Sequence, residues 1–392
     1  MIRSHQRITI LLASFLVGPA CKTRDPYYCE GAPLDNCSLS DAGCETFSTQ
    51  LDTCALGTGT DLIISGNRIY NTDTHILEDV GGGNAVPVMH TRVTNGDMMD
   101  VMLANSFTLT GGATLRVVGS VAFGIVATGA ITINGTINAV GSDPSGTPVI
   151  EAAGARTEMA CGTIGGNNGA DDMYGAPGGG GAGFCGRGGN GGQGDANMVP
   201  TSGGPGGMDE AAPPGFPRGG CHGGKGGNGD PDTGGKAGRG GGAVDLISAV
   251  SIKIGGGVNA GGSGGLGGSG QDGGGGGGGS GGMIVLEAPV IAGTGGAAAN
   301  GGGGGGGGGK NMDSGGPGGS GAVKMTAASG GGAAPIGSKG GAGGAAANVN
   351  GETVDTTNND GGGGGGGGAA GYVRVIGAMP TLALISPEPS RS

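Results

Sequence analysis

The chain has 392 residues, a formal net charge of −11, 108 glycines, 19 prolines, eight cysteines and no tryptophan. An acidic chain with only 12% charged residues argues against nucleic acid and anionic lipid head groups as partners, and against electrostatics as the organiser of the fold. Glycine this abundant without a Gly-X-Y period suggests low complexity, but the 35% apolar content sits in short Val- and Ile-rich runs, which disordered chains lack.

Residues 1–20 read as a secretory signal. Arg3 and Arg7 give a basic start, Ile8 to Val17 is apolar but too short to span a bilayer, and Gly18-Pro19-Ala20 precedes Cys21. A small-residue site ending at cysteine resembles the bacterial lipoprotein signal, which implies lipid on Cys21, although Gly18 stands where leucine is usual. Removing the signal takes away two positive charges and no acid, so the mature charge moves from −11 to −13.

Residues 21–57 form a Cys-rich module. Cys29, Cys37, Cys44 and Cys54 lie among Pro, Asp, Asn and Ser, with no CxxC and no histidine nearby. In an exported chain this composition predicts two disulfides, with three pairings open, rather than a metal site.

Residues 58–141 are strand-like: Leu62–Ile64, Val86–Val93, Met98–Leu103, Phe107–Leu109, Leu115–Val118 and Val121–Val126 alternate with Gly, Asn and Asp. Phe107-Thr108-Leu109-Thr110-Gly111 precedes Ile131-Thr132-Ile133-Asn134-Gly135 by 24 residues, about one coil of a parallel β-helix. The motif from Ile125 to Gly141 recurs 121 residues later from Leu246 to Gly262, and a looser copy begins at Val285-Leu286 and reaches Ile291, 39 residues on. These repeats predict an all-β, right-handed parallel β-helix or β-solenoid with stacked inward aliphatics.

Residues 142–242 read as a Gly/Pro-rich insertion between two coils, carrying Cys161, Cys185 and Cys221 as further disulfide candidates. Residues 243–379 resume the strands, including Val323–Met325, and carry the tracts Gly273–Gly279, Gly301–Gly309 and Gly361–Gly368; residues 380–392 are a tail. The tracts have two fates open to them: flexible loops, or extended polyglycine II struts packed side by side.

No motif carries recognisable chemistry. Gly304 to Lys310 approaches a phosphate loop, but Asn311 replaces the Ser or Thr that would reach magnesium. Gly268–Asp272 and Gly226–Asp230 are fragments of a calcium β-roll repeat without its tandem period. Cys221-His222 reads as a stapled cysteine beside an exposed histidine, and His75 and His90 belong to no nucleophile motif. Parallel β-helices often carry carbohydrate-cleaving sites built from clustered Asp, Lys and Arg; Asp97, Asp100 and Arg116 could meet on neighbouring coils, but nothing in the sequence singles them out. No catalytic, metal or cofactor residue is assigned.

Arg68–Thr74, the stretch Phe107–Gly141 and Gly273–Pro289 are similar to glycine-rich surface lipoproteins of the myxobacterial type. The resemblance implies export and a β-helix-like fold and brings no activity with it. The expectation is an exported structural or adhesive protein of the outer membrane surface or extracellular space, not an enzyme. Its partner would be an extracellular polysaccharide or protein, with membrane contact only through a lipid anchor. A carbohydrate-active β-helix enzyme and a largely disordered glycine-rich coat component are the alternatives.

Overall fold

A computed structural model describes residues 46–391, apart from 58, 96, 147–150, 157, 196–199, 310–311 and 355–360. The expected signal, Cys21 and Cys29, Cys37 and Cys44 lie outside the described residues, and Cys54 is disulfide-bonded. The strands all belong to the unit that runs from Phe47 to Ser392.

The fold is all-β. One open sheet holds seventeen strands: β1 (Thr60–Ile64), β2 (Asn67–Asn71), β3 (Ile76–Asp79), β4 (His90–Asn95), β5 (Asp97–Leu109), β6 (Thr114–Val118), β7 (Ala122–Ala127), β8 (Ile131–Ile133), β9 (Thr136–Asn138), β10 (Ala243–Ser248), β11 (Ile252–Ile254), β12 (Gly257–Asn259), β13 (Met283–Ala288), β14 (Ile291–Ala298), β15 (Tyr372–Gly377), β16 (Thr381–Ser386) and β17 (Ser390–Arg391). The β2–β3 and β4–β5 pairs are antiparallel, and the other named ladders are parallel. Among the described residues, helix amounts to Glu158–Cys161, a 3-10 turn at Gly162–Ile164 and a 3-10 position at Met312.

Three parallel ladders run through the sheet. One joins the first half of β5 to β7, β10, β13 and β15. A second joins β1, the end of β5, β8, β11 and β14. The third joins β2, β6, β9, β12 and the end of β14, which pairs onward with β16.

The repeats in the sequence are the registers of these ladders. Ile125 pairs with Leu246, Ile131 with Ile252, and Ile137 with Val258, matching the 121-residue offset residue for residue. Phe107 pairs with Ile131, matching the 24-residue offset. The third copy is correct at Ile291, opposite Ile252, but one residue out at its start: Leu286, not Val285, lies opposite Leu246. The cause is the link between strands, Pro289-Val290 where the preceding copy has Ala249-Val250-Ser251. A one-residue slip exchanges the two faces of a strand, so Leu286 joins the main core while Val285 packs on the opposite face with Phe184 and Tyr372.

Inward side chains stack along each ladder. Met102, Ile125, Leu246, Leu286 and Val375 form one buried row, and Phe107, Ile131, Ile252 and Ile291 another. The outer face of the first ladder is also covered, because Leu51 and Phe216 pack on Met99, Val101 and Ile247. Its strands β7, β10 and β13 are therefore buried at every position, as expected of parallel strands sheathed on both faces.

Two expectations about strands are corrected. The strand expected at Val323–Met325 is absent: these residues form a bend between glycine-rich runs, with Met325 exposed. The stretch expected as a tail from 380 instead supplies β16 and β17, which extend the ladders beyond β14 and β15. Leu382 and Ile385 pack against the main core, so their apolar content has a place to go.

The glycine tracts are packed and buried, which decides against flexible loops for the described residues. Gly274 and Gly277 donate to the carbonyls of Gly227 and Gly224, Gly275 and Gly278 to those of Gly363 and Gly366, and Gly276 and Gly279 to those of Leu266 and Ser263. One extended segment thus bonds three neighbours in rotation, with a period of three residues, the period of a left-handed extended helix. Gly302 to Gly307 repeat the pattern, donating in turn to Gly279, Gly319, Gly341, Gly276, Gly316 and Ser338. The stretch 142–242 supplies several of these neighbours, so its glycines and the later tracts interleave in one packed body.

The spacing leaves no room for a side chain. A Cβ on Gly277 would lie 2.0 Å from the carbonyl oxygen of Gly180, and one on Gly305 would lie 2.0 Å from that of Leu266. Gly332 would meet nothing within 4 Å. Gly277→Ala is therefore expected to destabilise by about 1–3 kcal/mol or more, as overpacking does, whereas Gly332→Ala should be neutral or slightly stabilising. Denaturant midpoints of the two variants check this; equal midpoints would refute the close packing.

Candidate functional site

Most of the buried backbone is already hydrogen-bonded, so chemistry must come from side chains on the first strands or at the rim of the glycine segments. Two buried polar clusters and a polar cleft result.

The first cluster centres on Asp100. Along β5, Met99, Val101 and Leu103 face outward, while Met102 and Ala104 face the main core. Alternation puts Asp100 in the inward row, where it is fully buried next to apolar neighbours. A buried carboxylate requires partners. Tyr70 Oη, on β2, donates to Asp100 Oδ2 at 2.6 Å, and His75 Nδ1 lies 3.0 Å from the same oxygen. His90 Nδ1 lies 3.5 Å from Oδ1, an oxygen with no hydrogen-bond partner. Burial, and then the hydrogen bond to Asp100, push the Tyr70 phenol far above its ordinary value.

Local structure brings the histidines together. The β2–β3 hairpin closes through a turn in which Asn71 Oδ1 accepts from Asp73 N–H at 2.9 Å and Asn71 O accepts from His75 N–H at 2.8 Å. His75 takes φ of 60°, a left-handed conformation that turns the chain into β3. His90 opens β4, opposite Met102. The two imidazoles stack with centroids 4.0 Å apart and an interplanar angle of 11°. The ligand atoms of His75, His90 and Asp100 all lie within 4.8 Å of one another, a group that could hold a metal ion.

The second cluster lies on the outer face of the first ladder. Glu287, on β13, accepts from Ser48 Oγ, Thr49 N–H and Thr49 Oγ1 at 2.6, 2.6 and 3.0 Å. Gln50 Nε2 reaches both Glu287 and Asp245 of β10 at 3.5 Å. Asp245 is fully buried, and its Oδ1 has no hydrogen-bond partner. Burial, and then the charge of Glu287, raise its carboxyl well above the usual carboxylate range, against the opposing pull of Arg374.

A cleft of about 490 Å³ is lined by Arg187, Asn190, Met208, Asn350 and Thr353. An adjoining cleft shares Asn190 and Thr353 and adds Gln193 and Ser202. Polar side chains stand here because the rim segments have backbone groups facing outward. Asn350 Oδ1 accepts from Arg187 N–H at 2.9 Å, Asn190 Oδ1 from Gly206 N–H at 2.8 Å, and Thr353 Oγ1 from Asn190 N–H at 3.1 Å.

The residues singled out from sequence fall differently. Cys161 and Cys221 form a disulfide with Cα atoms 5.8 Å apart, which removes Cys221 as a metal ligand beside His222. Cys185, expected as a disulfide candidate, is a free cysteine, half-buried against Phe184, and burial pushes its thiol up. Asp97, Asp100 and Arg116 do not converge: Asp97 is exposed at the start of β5, Asp100 is sealed inside, and Arg116 sits in the third ladder. Gly301 to Gly309 donate every N–H to backbone carbonyls, leaving none to cradle a phosphate. In the calcium-like fragment, Asp232 Oδ2 accepts from the N–H groups of Gln271 and Asp272 at 2.8 and 3.1 Å and so caps a turn. The sequence assigns no metal residue and does not pair His75 with His90. Its only signal is two histidines flanking a hairpin and a hydrophobic run interrupted by Asp100.

Compared with known proteins, the chain matches no family model, no curated protein and no solved structure. Among the described residues, no helix is long and apolar enough to cross a membrane.

The Asp245 cluster gives a pH signature. Its carboxyl titrates higher in the folded state than its ordinary 3.8. The stability it contributes is therefore full below that value and is lost as pH rises toward the folded-state value. Asp245→Asn should flatten this part of the profile and raise the thermal midpoint at neutral pH by about 2 °C or more. Thermal unfolding from pH 4 to 8 checks it; a variant less stable than the parent at pH 7 would refute the assignment.

Proposed function

We propose that this chain is an exported cell-envelope surface protein of structural or adhesive kind: a right-handed β-solenoid that carries a polyglycine II body on its coils and performs no catalysis. The observation that carries the reading is the glycine body itself. Its interior is bare backbone with neighbours in carbonyl contact, so it offers rigidity and no interior site for a substrate. Repetitive stacked frameworks suit extended binding faces, and the polar rim at Arg187, Asn190, Asn350 and Thr353 is where an extracellular polysaccharide or protein would be held.

Export is supported by the disulfide between Cys161 and Cys221, which belongs to an oxidising compartment. The leader and the lipid on Cys21 are part of the proposal, in line with the resemblance to glycine-rich surface lipoproteins. The enzymatic alternative is weakened by the burial of Asp100, which no polymer chain could reach.

Fractionation of bacteria expressing the full chain tests this. The protein should reach the outer membrane and be accessible to protease added to intact cells, and Cys21→Ala should release it into soluble fractions. Retention in the cytoplasm with Cys161 and Cys221 reduced would sink the reading.

A further inference from the structure

We infer that His75, His90 and Asp100 form a binding site for a divalent transition-metal ion of the zinc class, with one coordination position open toward solvent. Donor chemistry, geometry, an unsatisfied carboxylate oxygen and access converge on it.

The donor set is selective. Two imidazoles and one carboxylate suit zinc, nickel or copper, whereas calcium and magnesium call for oxygen ligands throughout.

The ligand atoms are close enough for one ion, and because the two rings stack at 11°, one imidazole turns about its Cβ–Cγ bond for both Nδ1 lone pairs to meet it. Ligands around a tetrahedral zinc, at bond lengths of about 2.0–2.2 Å, lie about 3.3–3.6 Å from one another. His90 Nδ1 and Asp100 Oδ1 are separated by 3.5 Å. His75 Nδ1 lies 3.0 Å from the other oxygen, Oδ2, in a hydrogen bond that coordination of His75 would replace.

The carboxylate is divided between two tasks. Oδ2 is held by Tyr70 at 2.6 Å, which fixes the plane of the group. Oδ1 is wholly buried and has no hydrogen-bond partner, an arrangement that is costly for an ionisable group unless something else takes the lone pairs. A cation at Oδ1 supplies that partner, and Tyr70 becomes the outer group that orients the ligand, as outer hydrogen bonds commonly do around metals.

The site is reachable. The His75 and His90 side chains are 25% and 33% exposed, while Asp100 is not exposed at all. Buried carboxylate below and partly exposed imidazoles above leave the fourth position facing outward. Structural zinc sites usually close with four protein ligands, whereas three with an open position leave room for water or a ligand group. The ion would also tie the β2–β3 turn to the start of β4 and the first half of β5.

The test uses the full chain, stripped with chelator and titrated with zinc chloride and, separately, with cobalt chloride. One equivalent of zinc should bind and raise the thermal midpoint, and cobalt should give the visible bands of a four-coordinate ion. Azide should shift those bands if the fourth position is open; unchanged bands would overturn that part. His90→Gln, at the exposed start of β4, should keep the fold and weaken zinc binding by roughly 100-fold or more, since losing a ligand costs at least as much as the roughly 10–100-fold of losing an outer hydrogen-bond partner. His222→Ala should bind as the parent does. No binding at micromolar zinc, or full binding by a folded His90→Gln variant, would overturn the site and leave the cluster a purely structural carboxylate–histidine pair.

Discussion

The structure depends on one constraint: every buried backbone N–H and C=O must find a partner. Strands usually meet it sideways, in two directions within a sheet. The glycine segments meet it in three directions, because a backbone without side chains lets neighbours approach on all sides. Gly276 illustrates the point: it donates to Leu266 and accepts from Gly305, in space where a Cβ would lie 2.2 Å from the Lys236 carbonyl oxygen. The consequence is that the segments cannot be varied singly. A methyl group on one displaces the carbonyl of another, and the error passes to the next.

Ordering glycine is costly, since no residue loses more backbone freedom on folding. The ladders reduce that cost by fixing where each segment ends. The 273–282 run leads directly into β13 at Met283, the 361–371 run into β15 at Tyr372, and the 234–242 run into β10 at Ala243. Parallel strands held in register by aliphatic rows thus deliver the glycine segments at fixed spacing. Gly282, Gly242 and Ala260 show the join. Met283 N–H donates to Gly242 O at 3.2 Å, and Gly282 N–H donates to Ala260 O at 2.8 Å, so the sheet's hydrogen bonding passes into the glycine body without a break.

Legibility in the sequence tracks which residues carry side chains. Ile131-Thr132-Ile133 and Ile252-Lys253-Ile254 display alternation, so their pairing can be read to the residue. The slip at Leu286 cannot, because a link one residue shorter leaves no mark in the aliphatic pattern. The fate of Gly273–Gly279 stays open in the sequence because polyglycine has the same composition whether packed or loose; only the neighbours decide. His75, His90 and Asp100 are illegible for another reason. They meet through an antiparallel excursion, β2–β3 and β4–β5, that departs from the parallel repeat by which the rest of the chain can be aligned.

That excursion is also why side-chain chemistry collects where it does. In the later strands, both faces of the first ladder are covered and the intervening chain is rich in packed glycine, so an imidazole has little room to stand. At β5, the partner on one side is the antiparallel β4 rather than another parallel strand. The inward row there ends on Asp100 instead of another aliphatic, and hairpin turns can place His75 and His90 over it. The carboxylate would be a defect if it stood alone at the end of the row of Phe123, Val244 and Ile284. With Tyr70 beneath and two imidazoles above, it becomes a point in the core where three polar side chains converge on one acid, and one of its oxygens is still without a hydrogen-bond donor.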